Sequence, residues 1–306
     1  MGRLNQRKKI KKNKKRKYRY SLQWPSLHKP KDPLTLRVFF MTRMQTISLE
    51  SNQKIYFASD FHLGTPSHEA SLEREQKIVR WLSQIQADAQ VIFLVGDLFD
   101  FWHEYKTVVP KGFVRFLGKL AELSDAGIRI IVFTGNHDLW MRDYFQTELN
   151  ISVFHQPIQI TVNCPNLSKN HLFYIGHGDG LGPGDYGYKF LKKVFRNPVC
   201  QWLFRQVHPD LGIRLATLWS QQSRGANVAK NEEHFLGEDR ELLFQFCQST
   251  EATQHHDFYI FGHRHLPLNL PVGKHGSCYI NLGEWFSGNC HYAVFDGQFL
   301  ELKRFE

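Results

Sequence analysis

The sequence predicts an α/β fold: two β-sheets packed face to face as a sandwich, flanked by helices, with a helical cap insertion. Three observations predict it. Runs rich in Ile, Val, Phe and Tyr alternate with helically spaced segments over residues 54–133. Each of these runs ends in Asp, His or Asn, the side-chain types that an α/β sheet presents at the carboxyl ends of its strands. After residue 150 the alternation gives way to strand-like runs interrupted by one long helical segment.

Residues 54–59 read as the first strand. Residues 71–86 carry Leu72, Ile78, Val79, Leu82 and Ile85 at helical spacing. Residues 91–95 are continuously apolar, as expected of a parallel strand covered on both faces. The next helix spans 113–126, with Gly127 placed to stop it, and a third strand spans 128–133. This β-α-β-α-β rhythm implies right-handed crossovers and a mostly parallel sheet. Residues 151–162 and 171–175 read as strands of a second sheet, and 258–261, 277–281 and 291–295 as later strands.

Residues 186–247 stand apart as a helical insertion. Phe190, Leu191, Val194, Phe195, Trp202, Leu203, Phe204, Val207, Leu211, Leu218 and Trp219 alternate there with Lys189, Lys192, Lys193, Arg196, Arg205, Arg214 and Arg224. An ordinary helical subdomain with a basic face fits this pattern. So does a cap that offers an apolar groove with a basic rim, suited to a lipid that carries phosphate.

Charge divides the 306 residues unevenly. Residues 1–40 hold 14 Lys and Arg against one acid, and the remainder is net −3. The overall +10 therefore belongs to the tail, and the body lacks the basic excess expected of a nucleic-acid binder. Residues 1–44 are expected to be a disordered basic tail, and 45–306 the folded domain. An arm for anionic lipid or nucleic acid fits the tail, as does an inert solvated segment. So does a start codon assigned too early, since Met41 or Met44 would keep everything the fold needs. No apolar stretch follows the basic run to make a secretory signal, and no uncharged run of about 18 residues suggests a membrane span. The five cysteines are Cys164, Cys200, Cys247, Cys278 and Cys290. They have no metal-type spacing and read as reduced thiols of a cytosolic protein.

Chemistry concentrates in five runs: Asp60-Phe61-His62, Gly96-Asp97-Leu98-Phe99-Asp100, Gly135-Asn136-His137-Asp138, Gly176-His177-Gly178-Asp179 and Gly262-His263-Arg264-His265. Asp60, His62, Asp97, Asn136, His177, His263 and His265 can hold two metals if one carboxylate bridges them, and Asp97 is the natural bridge. Mixed imidazole and carboxylate donors suit Mn, Fe or Zn better than Mg or Ca. Two divalent ions against two carboxylates leave an electropositive centre that can clamp a phosphoester during in-line displacement by water. His137 is expected to face the substrate as a stabiliser or general acid, oriented by Asp100.

The order of these runs resembles that of the calcineurin-like metallophosphoesterases over roughly residues 54–300. The resemblance implies that Asp60, His62, Asp97 and His265 hold one metal and that Asp97, Asn136, His177 and His263 hold the other. It makes His137 and Asp100 the catalytic pair. A narrower resemblance is to the UDP-2,3-diacylglucosamine diphosphatases, carried by Asp60-Phe61-His62-Leu63, by Gly96 to Trp102, by His177-Gly178-Asp179 and by Asp185-Tyr186-Gly187-Tyr188 with the insertion after it. That branch usually has Arg where this chain has His137, and Glu where it has Asp100.

The narrower resemblance implies a cytoplasmic enzyme, peripheral to the inner membrane. Such an enzyme splits the pyrophosphate of a UDP-linked diacylglucosamine into UMP and the acylated sugar 1-phosphate in lipid A synthesis, with two divalent ions, Mn first among them. Asp185, Tyr188, Trp202, Ser220 and Arg224 are the expected substrate contacts. Two alternatives stand beside it. One is a metallophosphoesterase for another nucleotide, phosphoprotein or nucleic acid. The other is a basic-armed binding protein whose metal site is structural.

Overall fold

Strand β3 (Ala89–Val95) shows how the layers arise. Its alternate side chains leave on opposite faces, and both faces are buried. Val91, Phe93 and Val95 enter one core with Phe173, Ile175, Ile260 and Ile280. Ile92 and Leu94 enter another with Ile78, Trp81, Leu82, Phe116 and Leu120. Each large apolar side chain removed from water in this way contributes roughly 1.5–3 kcal/mol. The computed structural model describes residues 45–216 and 234–306. The basic tail, Met41, Met44, Leu218, Trp219, Ser220 and Arg224 lie outside the described residues.

The described residues form two six-stranded sheets. In the first, β2 (Lys54–Ala58), β3, β4 (Arg129–Phe133) and β5 (Ser152–Phe154) run parallel. The antiparallel pair β11 (His291–Phe295) and β12 (Leu300–Arg304) extends this sheet beyond β2. The second sheet has the order β1 (Gln45–Ser48), β6 (Ile158–Cys164), β7 (Lys169–Ile175), β8 (Phe258–Phe261), β10 (Ser277–Leu282), β9 (Pro267–Val272). Helices α1 (His68–Ile85) and α2 (Val114–Asp125) cover the outer face of the first sheet, where the short α3 (Tyr144–Glu148) adds Phe145. The cap carries α4 (Tyr186–Phe195) and α5 (Pro198–Phe204). Helix α6 (Leu242–Glu251) covers the second sheet, burying Leu243, Phe244 and Cys247 against Tyr259, Phe261 and Tyr279. The expected two-sheet sandwich flanked by helices is thus the architecture.

Several boundaries differ from the sequence reading for identifiable reasons. The single strand expected at 151–162 is two strands in different sheets: β5 pairs with β4, and β6 pairs with β1 and β7. The chain crosses between sheets at His155-Gln156-Pro157, where Pro157 has no N–H to continue a ladder. Helix α1 starts before residue 71, because Ser67 caps it by accepting from the Ala70 amide at 3.3 Å. The insertion, expected to run to 247, ends before Leu242, since α6 is a layer of the body. All five cysteines are free thiols, three of them buried. Among the described residues no helix is long and apolar enough to cross a membrane.

Candidate active site

All five chemical runs begin where a strand stops. Asp60 and His62 follow β2, Asp97 follows β3, and Asn136 and His137 follow β4, all from the first sheet. His177 follows β7, and His263 and His265 follow β8, from the second. The two sheets therefore deliver their donors to one end of the sandwich.

The donors separate into two groups that meet at one carboxylate. Ligand atoms of Asp60, His62 and His265 lie within 4.8 Å of one another, and so do those of Asp97, His177 and His263. In the first group, His265 Nε2 is 3.2 Å from Asp60 Oδ1 and 3.1 Å from His62 Nε2. In the second, Asn136 Oδ1 lies 3.2 Å from His177 Nε2 and 3.0 Å from His263 Nδ1. Asp97 Oδ2 reaches both, at 3.2 Å from His177 Nε2 and 3.8 Å from His62 Nε2. A mixed nitrogen and oxygen set of this kind, with one oxygen between two clusters, fits two divalent transition-metal ions.

Burial opposes ionisation of Asp60, but hydrogen bonds from His265 and His62 hold its carboxyl well below the usual carboxylate range. Asp97 is held low against the same burial by His177 and His137. Burial also disfavours a charged His177, yet Asp97 beside it pushes the ring up to about 10. Burial and the neighbouring His177 push His263 down to about 4. Both carboxylates are thus in the anionic form that a metal requires.

Holding so many donors together distorts the backbone. Asp60, His62, Asp97, His263 and His265 all have φ between 44° and 71°, a left-handed conformation uncommon outside Gly, Asn, Asp and His. Several groups over-determine it. Arg74, buried on α1, donates to the carbonyls of Phe61, His62 and Thr65 at 3.0, 2.7 and 2.9 Å. Asp138 accepts from the amides of Leu98 and Gly135, tying the second run to the third. Glu241 accepts from Arg264 Nε at 3.1 Å, and Asn281 donates to the Gly262 carbonyl, so both back the last run.

Two glycines are forced by close approach. A Cβ at Gly135 would overlap the Asp97 carboxylate, and one at Gly262 would overlap that of Asp60. Gly135→Ala is therefore expected to weaken metal binding by about 10–100-fold, the range for groups that orient ligands. Metal titration monitored by calorimetry checks it. Sequence reading passed over Arg74, Glu241 and these glycines as site residues. The Gly-Asp, Gly-Asn-His and Gly-His-Arg-His spellings carried the glycine signal, whereas Arg74 carried none, because a lone Arg in an amphipathic helix reads as solvated.

His137 lies at the edge of the first cluster, its ring 4.8 Å from that of His62 and perpendicular to it. Its Nδ1 is 3.1 Å from the Asp100 backbone carbonyl and 3.6 Å from the Asp100 carboxylate. Both the carbonyl and the carboxylate of Asp100 thus lie beside this ring nitrogen. Tyr188 is committed elsewhere: its hydroxyl donates to Asp179 at 2.6 Å, and Lys192 pairs with the same carboxylate at 2.5 Å. Asp185 is exposed just before α4, and Trp202 on α5 is 58% exposed.

The cap rests on loops that follow the ligand runs. Trp140 Nε1 donates to the Phe195 carbonyl at 2.8 Å, Arg142 donates to Gln201, and Phe204 packs on Trp140 and His103. Elsewhere it leaves the large apolar side chains of Tyr186, Phe190, Val199 and Leu203 exposed.

Residues 53–267 match the family model described as calcineurin-like phosphoesterase. The chain belongs to the calcineurin-like phosphoesterase family. Among its relatives, the UDP-2,3-diacylglucosamine hydrolase of Porphyromonas gingivalis is 38% identical over 264 residues, covering 83% of this chain and 98% of that protein. Proteins of the same name from Vibrio vulnificus and Ectopseudomonas mendocina are each 26% identical, over 81% and 76% of this chain and 97% and 90% of theirs. Family membership and the donor geometry make this phosphoesterase a metal-dependent hydrolase.

Proposed function

We propose that this phosphoesterase hydrolyses the pyrophosphate of a UDP-linked diacylglucosamine, giving UMP and the acylated sugar 1-phosphate of lipid A synthesis. The observation that carries the reading is the cap: a helical insertion seated on the ligand-bearing loops that leaves large apolar side chains open. A small soluble nucleotide has no use for such a surface, whereas a diacylated sugar must cover its chains. The relatives named as UDP-2,3-diacylglucosamine hydrolases support it.

In this reading Asp60, His62, Asp97 and His265 hold one divalent ion, and Asp97, Asn136, His177 and His263 hold the other. The donor chemistry suits Mn, with Fe or Zn as alternatives. When bound, the ions supply Lewis acidity toward the phosphoryl oxygens and acidify the attacking water. Asn136 adds a neutral oxygen, so the donor set does not cancel the attraction for a diphosphate. His137 presents Nδ1 to the Asp100 carbonyl, an acceptor only, so that nitrogen keeps its proton. In the imidazolium form both ring nitrogens donate, so Nε2 then donates toward charge developing on a phosphoryl oxygen. His137→Ala is expected to retain both metals while turnover falls by about 10²–10⁴-fold, the usual contribution of a positioned proton donor. Metal analysis alongside kcat separates this role from that of a ligand.

The open apolar and basic surface of the cap also suits a peripheral position on the inner face of the inner membrane. The direct test of the reading is UMP release from UDP-2,3-diacylglucosamine with added Mn²⁺ and with a chelator. Metal-dependent release supports it. Hydrolysis of a small phosphodiester together with an intact lipid substrate sinks it, and favours the second reading, a phosphodiesterase for another nucleotide.

A further inference from the structure

A cavity of about 340 Å³ opens beside the second donor cluster, and none of the roles above uses it. His177 and Gly178 form its inner end, His155, Gln156 and Pro157 form one wall, and helix α4 forms the other. The helix turns four cations toward it: Lys189, Lys192, Lys193 and Arg196, spaced three, four and seven residues apart and hence on one face. Three of them are fixed by the body. Lys189 donates to the Gly182 carbonyl, Lys192 pairs with Asp179, and Arg196 donates to the His155 carbonyl. Lys193 is exposed and has no hydrogen-bond or ion-pair partner among the described residues. Among the described residues, Asp179 is the one acid on the wall. The cavity therefore carries a positive excess that ends at a donor of the second metal cluster.

We propose that this cavity binds the nucleoside monophosphate half of the substrate, with Lys193 facing its phosphate and Gln156 facing its base. The proposal rests on the UDP-linked substrate put forward above and assigns which side of the centre each half occupies. Two features favour the nucleotide half over the acylated sugar. The α4 side chains that line the cavity are cationic, whereas Tyr186 and Phe190, 80% and 68% exposed on the same helix, do not line it. Acyl chains follow those exposed apolar side chains, so the polar half is left with the cationic lining. The Gln156 side chain is exposed and offers one donor and one acceptor group, which match the imide edge of a pyrimidine. Pro157 and Leu181 supply apolar surface for the ring face.

The experiment is equilibrium dialysis of radiolabelled UMP against the Mn²⁺-loaded full chain. Saturable one-to-one binding is expected. Lys193→Glu should raise the Kd for UMP about tenfold, as expected for reversing one partly solvated charge at a phosphate. Gln156→Ala should weaken UMP more than AMP. Both residues are exposed, so neither change threatens folding. Lys274→Glu, the same charge reversal in the β9–β10 hairpin, should leave the Kd within about twofold, because that site lies beyond the reach of screened charges. The Kd for the acylated glucosamine 1-phosphate should move far less than that for UMP in Lys193→Glu. The proposal is overturned if UMP does not bind, if Lys193→Glu binds it as the wild type does, or if both products weaken equally. UMP release from the lipid substrate is scored separately. Release with no effect of Lys193 rejects the cavity alone. Lys193-dependent UMP binding without release rejects the substrate and leaves the cavity standing.

Discussion

Asp97→Ala is expected to strip both metals and to lower turnover by well over 100-fold, beyond the 10–100-fold typical of groups that only orient ligands. Among the described residues, its Oδ2 is the one carboxylate oxygen within 4 Å of both His62 and His177. Its Oδ1 accepts from the His137 amide at 2.9 Å, so the third run also loses its anchor. Removing His265 should leave the second cluster able to hold one ion, since His265 contacts only the first. Elemental analysis therefore discriminates: near-zero occupancy for Asp97→Ala and about one ion for His265→Ala. Two ions retained in Asp97→Ala would remove Asp97 from the bridging position.

Trp202→Asp is the matching test of the cap. Trp202 sits on α5 with 58% of its surface exposed, close in sequence to exposed Val199 and Leu203. If acyl chain packs there, losing contact with three methylenes forfeits about 2.4 kcal/mol, or about 50-fold in kcat/KM. Placing a carboxylate against the chain increases the loss. A small chromogenic phosphodiester has no chain to lose, so its hydrolysis should fall far less. The ratio of the two kcat/KM values, measured on one preparation, is the readout. An unchanged ratio would detach the cap from the substrate.

The donors were legible in the sequence because their chemistry is written in short contiguous runs, each following an apolar strand. Asp60 and His62 need only a turn to converge, whereas His263 and His265 leave one turn for different clusters, and the two sheets bring the runs together. The sheet assignment of 151–162 was not legible. β-Propensity is continuous across His155-Gln156-Pro157, and only pairing partners decide where one sheet ends. Strand β9 was missed because Pro267 and Pro271 argue against a strand, yet β9 is an edge, where proline is tolerated. Arg74 was missed for a related reason. Its partners are main-chain carbonyls of a distant turn, and carbonyls have no sequence. Asp100 lies beside His137, with Nδ1 3.1 Å from its carbonyl and 3.6 Å from its carboxylate; the carbonyl approach depends on the turn, which the spacing alone does not spell.

The left-handed backbone at Asp60, His62, Asp97, His263 and His265 sets a conflict between durability and activity. Such residues cost of order 1–3 kcal/mol each, with Asp and His toward the low end because they tolerate this region best. Glycine would relax each position, and each relaxation would delete a donor. Directed evolution of this chain for heat resistance alone, without a screen for turnover, should therefore accumulate glycine at His62, His263 and His265 before Asp60 and Asp97, whose carboxylates also hold the His263 and His137 amides. The resulting proteins would melt higher and do nothing. Selection for turnover is what keeps the end of the sandwich under tension.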